Sequence, residues 1–316
     1  MYDRLELFPE WERALRAAAV PGFQVVGNHD LDLAARTDHD SALAFQRRFG
    51  PTWYSFDRGE THVVILDDVF WHGRGYLGYL DRRQLDWLAA DLARVERGRR
   101  VLVGLHIPTW STRHQRYGEA AAPEHLVVVN RELLYELLAP FRATILCGHM
   151  HELEIIRDHP VEVHVGGALC GAWWTGPVCG DGTPNGYMVY DLAGGDLSWR
   201  YQSTGHGPDH QLRLHAPGAE PEAPDLVLAN VWAADDRWRV VWFADGEPRG
   251  EMPRRRGRDP LAVRLYAGPD RPAGRSWAEP LITDHLYVCR PGPDVREVAV
   301  EATDPWGRTF RESIAL

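Results

Sequence analysis

Three short apolar runs, each stopping abruptly at a histidine, constrain this chain more than any other feature. Arg100-Val101-Leu102-Val103-Gly104-Leu105 hands over to His106, Ala143-Thr144-Ile145-Leu146-Cys147 to Gly148-His149, and Phe23-Gln24-Val25-Val26 to Gly27-Asn28-His29. Short apolar runs bounded by turn residues read as strands buried on both faces, the kind that parallel sheets are made of. Between them lie stretches with helical spacing: Leu7, Trp11, Leu15 and Ala18 over residues 5–20, Leu85, Leu88 and Leu92 between Asp81 and Val95, and the segment from Asn130 to Leu138. His62-Val63-Val64-Ile65-Leu66 reads as a further strand, and Glu162-Val163-His164-Val165 begins a run of strands and turns ending near Tyr201. Strands alternating with helices give an α/β fold. Polar residues just past a strand's C-terminal edge are where such sheets place their sites.

The composition changes after about residue 204. A Gly/Pro/His-rich stretch, 205–224, reads as a linker. Beyond it come short strands with turn signals, including 226–232, 239–243 before Asp245-Gly246, and 297–302 before Asp304-Pro305. Asp-Gly between alternating runs is a hairpin signal. The expected organisation is therefore an α/β domain over 1–204, the linker, and an all-β, sandwich-like domain over 225–316. At 316 residues the chain has room for both.

A formal charge of −10 argues against nucleic acid as a partner, because a phosphate backbone wants a basic surface. No apolar run approaches a membrane span. The first residues are charged, with no apolar stretch or small-residue cleavage site, so they do not read as a secretory signal. The four cysteines show no Cys-x-x-Cys spacing; Cys170 and Cys179 could pair across a loop, but isolated thiols are the better reading. Compartment and oligomeric state stay open.

Hydrolysing a phosphate ester near neutral pH needs a deprotonated nucleophile and positive charge on the phosphoryl oxygens, and a pair of metal ions supplies both. Neutral imidazoles, carboxylates and an amide oxygen suit borderline metals such as Zn, Mn or Fe. Glycine beside such ligands lets the backbone turn tightly enough for neighbouring side chains to converge. Any one of these histidines alone could be a capping or packing residue. His62, His72, His114, His125, His164 and His210 have no motif context and read that way.

Taken together and in order, Gly27-Asn28-His29-Asp30, Gly104-Leu105-His106 and Gly148-His149-Met150-His151 resemble the calcineurin-like metallophosphoesterase superfamily. The resemblance implies a four-layer αββα sandwich and a site for two divalent or trivalent metal ions (Mn, Fe or Zn). Asn28, His106 and His149 would ligate one ion and His151 the other. His29 would orient or protonate the leaving oxygen, with Asp30 as its partner, and a metal-bridging hydroxide would attack phosphate mono- or diesters in line. The partner would be a small phosphorylated substrate.

More of the chain is similar to a bacterial branch of that superfamily with a dedicated C-terminal β domain. Gly171-Ala172-Trp173-Trp174-Thr175-Gly176, Asp181 to Tyr187, Asn230-Val231-Trp232, Thr283 to Leu286 and Ala302 to Gly307 carry that likeness. Trp173, Trp174, Asn185 and Tyr187 would wall the substrate site, or else pack the domain junction.

The superfamily's first two motifs, Asp-x-His and Gly-Asp followed by Asp or Asn, do not occur before Gly27. Met1 to Pro9 is similar to the tail of the second, with Asp3 as its second acidic residue. The expectation is an N-terminally truncated sequence, with a signal peptide upstream in keeping with the resemblance. These residues by themselves would bind metal weakly and hydrolyse phosphodiesters poorly or not at all. The alternative is a non-catalytic ligand- or surface-binding protein on a degenerate phosphoesterase scaffold.

Overall fold

The computed structural model describes residues 4–274 and 277–316; Asp3 lies outside them. A helical turn, Leu5–Leu7, leads into helix α1 (Phe8–Ala18), which ends on Ala19 in the left-handed region. Two short helices, α2 (Asp38–Ser41) and α3 (Leu43–Phe49), pack Phe45 and Phe49 against Phe8.

A six-stranded sheet follows, built from β1 (Tyr54–Arg58), β2 (Thr61–Ile65), β5 (Arg100–Gly104), β6 (Arg142–Cys147), β7 (Glu154–Asp158) and β8 (Val161–Val165) in the order β1-β2-β5-β6-β8-β7. A small ribbon, β3 (Val69–Trp71) with β4 (Tyr76–Gly78), sits outside it. Strands β2, β5, β6 and β8 run parallel, and the two outer strands are antiparallel to their neighbours.

Alternation along β5 shows how the sheet is covered. Val101 and Val103 join the core with Leu85, Leu88 and Leu92 of helix α4 (Arg82–Leu92) and Leu134 and Leu138 of helix α6 (Arg131–Leu138). Between these helices lies a single helical turn, α5 (Arg113–Arg116). Leu102 points the other way, onto Leu197 and Trp199 of the hairpin β9 (Gly186–Ala193) and β10 (Asp196–Ser203). Asp81 caps α4 by accepting from the Gln84 amide at 2.8 Å, the side-chain cap that its position before an apolar-periodic run leads one to expect.

The stretch Phe23 to Val26 differs from expectation, because it forms no ladder strand among the described residues. β2 and β5 already have neighbours on both sides. The segment passes close to β5, where a Cβ on Gly104 would lie 3.5 Å from a methyl of Val25. Val26 is fully buried, while Phe23 is half exposed and stacks on Phe56.

The C-terminal region is a sandwich of two four-stranded antiparallel sheets. One orders β11 (Leu212–His215), β12 (Val227–Val231), β16 (Ile282–Cys289) and β15 (Arg254–Arg258); the other orders β14 (Glu247–Glu251), β13 (Arg239–Ala244), β17 (Glu297–Thr303) and β18 (Thr309–Ala315). Leu212, Val227, Val231 and Tyr287 from one sheet meet Val240, Val298, Val300 and Phe310 from the other in one core. Asp245 and Gly246 make the β13–β14 turn with φ of 50° and 84°, the left-handed pair that a two-residue hairpin requires. The linker reading of 205–224 is corrected at Leu212–His215. These residues pair with β12 as an edge strand, because Leu212 and Leu214 supply the alternating apolar face that the sandwich needs. Helix α7 (Pro260–Tyr266) leaves the sandwich and packs against the loop that carries Ala172 and Trp173. All four cysteines are free thiols. Among the described residues no helix is long and apolar enough to cross a membrane.

Candidate active site

Parallel neighbours end at the same edge, so β2, β5 and β6 place their following loops side by side. Beyond β2 comes Asp67-Asp68, beyond β5 Leu105-His106, and beyond β6 Gly148-His149. Asp68 is fully buried and fixes the second of these loops, accepting from the His106 and Ile107 amides at 3.0 and 2.9 Å. Burial pushes its carboxyl well above the ordinary range, against the pull of those two backbone donors.

Gly27-Asn28-His29-Asp30 approaches the same edge as a tight turn. The Asp30 amide donates to the Gly27 carbonyl at 2.9 Å, and the Asp30 carboxylate accepts from the Gly27 amide, also at 2.9 Å. A Cβ at residue 27 would lie 3.1 Å from the His106 ring, so any larger residue would press on the imidazole. Asp30 thus shapes the turn; burial raises its carboxyl above the usual value.

The result is convergence. Asn28 Oδ1 lies 2.7 Å from His106 Nε2, which lies 3.2 Å from His149 Nδ1. Such separations are those of neighbouring ligands around one ion with bonds of about 2.1 Å. The protonation pattern agrees. His149 Nε2 is 2.9 Å from the His125 carbonyl and must donate to it, which leaves Nδ1 with a lone pair facing its neighbours. Burial pushes His149 down to about 4 and His106 well below the usual imidazole value, so both are neutral near pH 7, as metal ligands must be.

His151 stands apart from the trio. Its Nδ1 lies 2.7 Å from the Gly171 carbonyl, and its ring stacks on Trp173 with centroids 4.9 Å apart. Burial lowers its pKa as well. Among the described residues no group of three or more His, Cys, Asp or Glu is placed to hold a metal ion. The expected pair of ions finds neither a carboxylate bridge nor partners for His151 among the described residues; what converges is two imidazoles and one amide oxygen, from Asn28, His106 and His149.

A cavity of about 780 Å³ opens over this cluster, lined by Asn28, His29, Tyr76, Arg113, His125, Leu126, His149, Trp173, Trp174 and Trp277. His29 meets Trp174 edge to face, with centroids 4.8 Å apart. Asn185 and Tyr187 lie outside this lining. Asn185 donates to the Gly176 carbonyl at 3.2 Å and so ties down the tryptophan loop, and Tyr187 is half exposed on β9.

Sequence reasoning missed Asp68, Tyr76, Arg113 and Trp277, and set His125 aside as a surface or packing residue. Asp67-Asp68 follows a buried strand in the same manner as the histidines and could have been found by that rule. His125, Arg113 and Trp277 carry no local signal, since only the tertiary fold brings them to the cavity.

Backbone strain marks the same place. His149, His151, Trp173 and Trp174 have φ of 68°, 52°, 54° and 61°, in the left-handed region that bulky residues avoid at about 1 kcal/mol or more each. The histidines are therefore turn residues and do not alternate along a strand.

Imidazole and amide groups thus gather at the C-terminal edge of parallel strands, in a chain that continues into an all-β domain. Residues 163–310 match the family model for the C terminal of calcineurin-like phosphoesterase. That match supports the superfamily resemblance; it spans Trp173, Trp174 and the β sandwich, and none of Asn28, His29, His106, His149 or His151. The mixed α/β content and the separate β domain are consistent with it. No curated protein matches this chain.

Proposed function

We propose that this chain carries a metal-dependent phosphoesterase site acting on small phosphate mono- or diesters. The observation that carries the reading is the convergence of Asn28 Oδ1, His106 Nε2 and His149 Nδ1 beneath an open cavity. A bound divalent ion would supply charge for the phosphoryl oxygens and a nucleophile deprotonated near neutral pH. Asn28, His106 and His149 would hold it, the last oriented by the His125 carbonyl. His29, in the cavity lining with Asn28, would orient or protonate the leaving oxygen. Arg113 also lines the cavity, its guanidinium paired with Glu279 at 3.5 Å. The two-ion form of the mechanism, and the four-layer fold that accompanies it, belong to this proposal in its fuller version. A second ion beside His151 would need carboxylates that the described residues do not bring there.

The test is calorimetric titration with Mn²⁺ and Zn²⁺, together with hydrolysis of bis-p-nitrophenyl phosphate. One ion per chain, lost in His149→Ala, and turnover abolished by a chelator would support the reading. No metal uptake at micromolar to millimolar concentration would overturn it. A second reading, a ligand-binding protein on this scaffold, is favoured by the absence of a carboxylate from the donor trio. It predicts ligand binding that survives His149→Ala without turnover.

A further inference from the structure

Trp173 and Trp174 are two successive large side chains in left-handed backbone, at φ 54° and 61°. Such strain persists only where the surroundings enforce it, and here the enforcement is visible. His151 Nδ1 faces the Gly171 carbonyl, Asn185 holds the Gly176 carbonyl, and the Tyr266 hydroxyl reaches the carbonyls of Val178 and Thr175 at 2.5 and 3.2 Å. Gly176, at φ 75°, packs so closely on the Tyr266 hydroxyl that no side chain would fit there. Ala172, Val178, Ala262, Tyr266 and Ala278 form a small apolar core beneath the loop, with Trp173 packed against it. Tyr266 and Ala278 come from the C-terminal domain, as does Trp277 in the cavity lining.

We infer that this two-domain cavity is an aromatic-lined leaving-group pocket, selecting phosphoesters whose alcohol carries a flat, uncharged aromatic group. The inference rests on the phosphoesterase reading of the same site. The cavity's volume of about 780 Å³ leaves room for such a group beside a phosphoryl at the ion site. Trp173, Trp174, Trp277 and Tyr76 line it with aromatic surface. Tryptophan walls also attract quaternary ammonium groups, an alternative that phosphocholine tests. Tyr266 is the positioning residue, acting through the loop that it holds.

The experiment uses the whole chain loaded with Mn²⁺ and reads binding by tryptophan fluorescence and calorimetry, with phenylphosphonate, methylphosphonate, phosphocholine and benzyl alcohol as probes. Phenylphosphonate should bind on the order of tenfold more tightly than methylphosphonate, an advantage lost in Trp173→Ala and Trp174→Ala. Tyr266→Phe, which keeps the ring in its core, should shrink that ratio while leaving Mn²⁺ uptake unchanged, an outcome that a general loss of folding would not give. Equal affinity for phenylphosphonate and methylphosphonate overturns the aromatic selection and leaves the phosphoesterase reading standing, as does tighter binding of phosphocholine. Benzyl alcohol binding as well as phenylphosphonate overturns the phosphoesterase reading, and with it the leaving-group assignment, while the aromatic pocket remains. No binding by either aromatic probe, with Mn²⁺ still titrating in, overturns the pocket alone.

Discussion

Two clusters of buried polar side chains can be set side by side in this molecule, and they are spent differently. At the domain junction the Asp181 carboxylate accepts from the Leu153 and Thr183 amides, the Thr183 hydroxyl and His285 Nε2, at 2.7, 3.0, 2.9 and 3.1 Å. Asn230 Nδ2 donates to the Asp181 carbonyl and to Asp259, while its Oδ1 faces His285 Nδ1 at 2.7 Å. Asp259 in turn faces His215 Nε2 at 2.8 Å and caps α7 through the Ala262 amide at 2.9 Å. Nearly every hydrogen-bonding valence is used, although a cavity lined by Leu153, Thr283 and His285 reaches the cluster's edge. In the Asn28–His106–His149 trio, by contrast, Asn28 Oδ1, His106 Nε2 and His149 Nδ1 converge beneath a cavity with no carboxylate among them. A satisfied network specifies how two domains meet; the trio, on the function proposed above, would hold an ion.

The contrast can be broken most forcefully at Asp181. Asp181→Ala leaves four donors without their partner and should cost about 3 to 5 kcal/mol in urea unfolding; a loss under 1 kcal/mol would mean that the junction is not what holds the domains together. Asp259 provides a pH test. Burial raises its pKa, but His215, Arg213 and the Asn230 amide outweigh that and leave it at about 2, against an ordinary 3.8. A carboxyl depressed on folding stabilises the protein above its unfolded pKa and loses that contribution as pH falls toward its folded one. Between pH 6 and pH 2 the wild type should therefore lose about 2 kcal/mol more than Asp259→Asn, and parallel curves would refute this.

At the trio the expected stability effect is smaller. His149→Ala removes one bond to the His125 carbonyl and should change unfolding free energy by about 1 kcal/mol, while abolishing the calorimetric signal for Mn²⁺. A large destabilisation with metal uptake intact would place the trio on the structural side of the comparison. Smallest of all, Tyr187→Ser on exposed β9 should shift stability by less than about 0.5 kcal/mol and leave phenylphosphonate binding unchanged. A change in that binding would return Tyr187 to the cavity.

The legible parts of the sequence were those written locally. Apolar runs ending at His106 and His149 announced β5 and β6 because burial on both faces leaves no polar position inside such strands. Asp245-Gly246 announced its hairpin because few other pairs tolerate two positive φ values. Phe23 to Val26 misled because four apolar residues carry no information on whether a sheet edge is free to receive them. Leu212–His215 hid inside a Gly/Pro-rich stretch too short to show alternation. Asp181, Asn230 and His285 were visible only as members of the segments that carry the family resemblance. The hydrogen bonds that join these three to one another span 49 to 104 positions and could not be read from spacing.

Because Trp277 lines the cavity from the second domain and Tyr266 holds the tryptophan loop from there, the two halves of the proposed site would come into being at different moments. The trio is complete once β5 and β6 have paired and the Asn28 turn has closed. The aromatic wall exists only after the sandwich has folded and docked, a slower event than strand pairing. A chain caught between those moments would hold its ion donors in an open dish, indifferent to what a phosphate carries. Discrimination among ligands would thus arrive as the final act of folding, and a probe that distinguishes phenyl from methyl would double as a clock for domain docking.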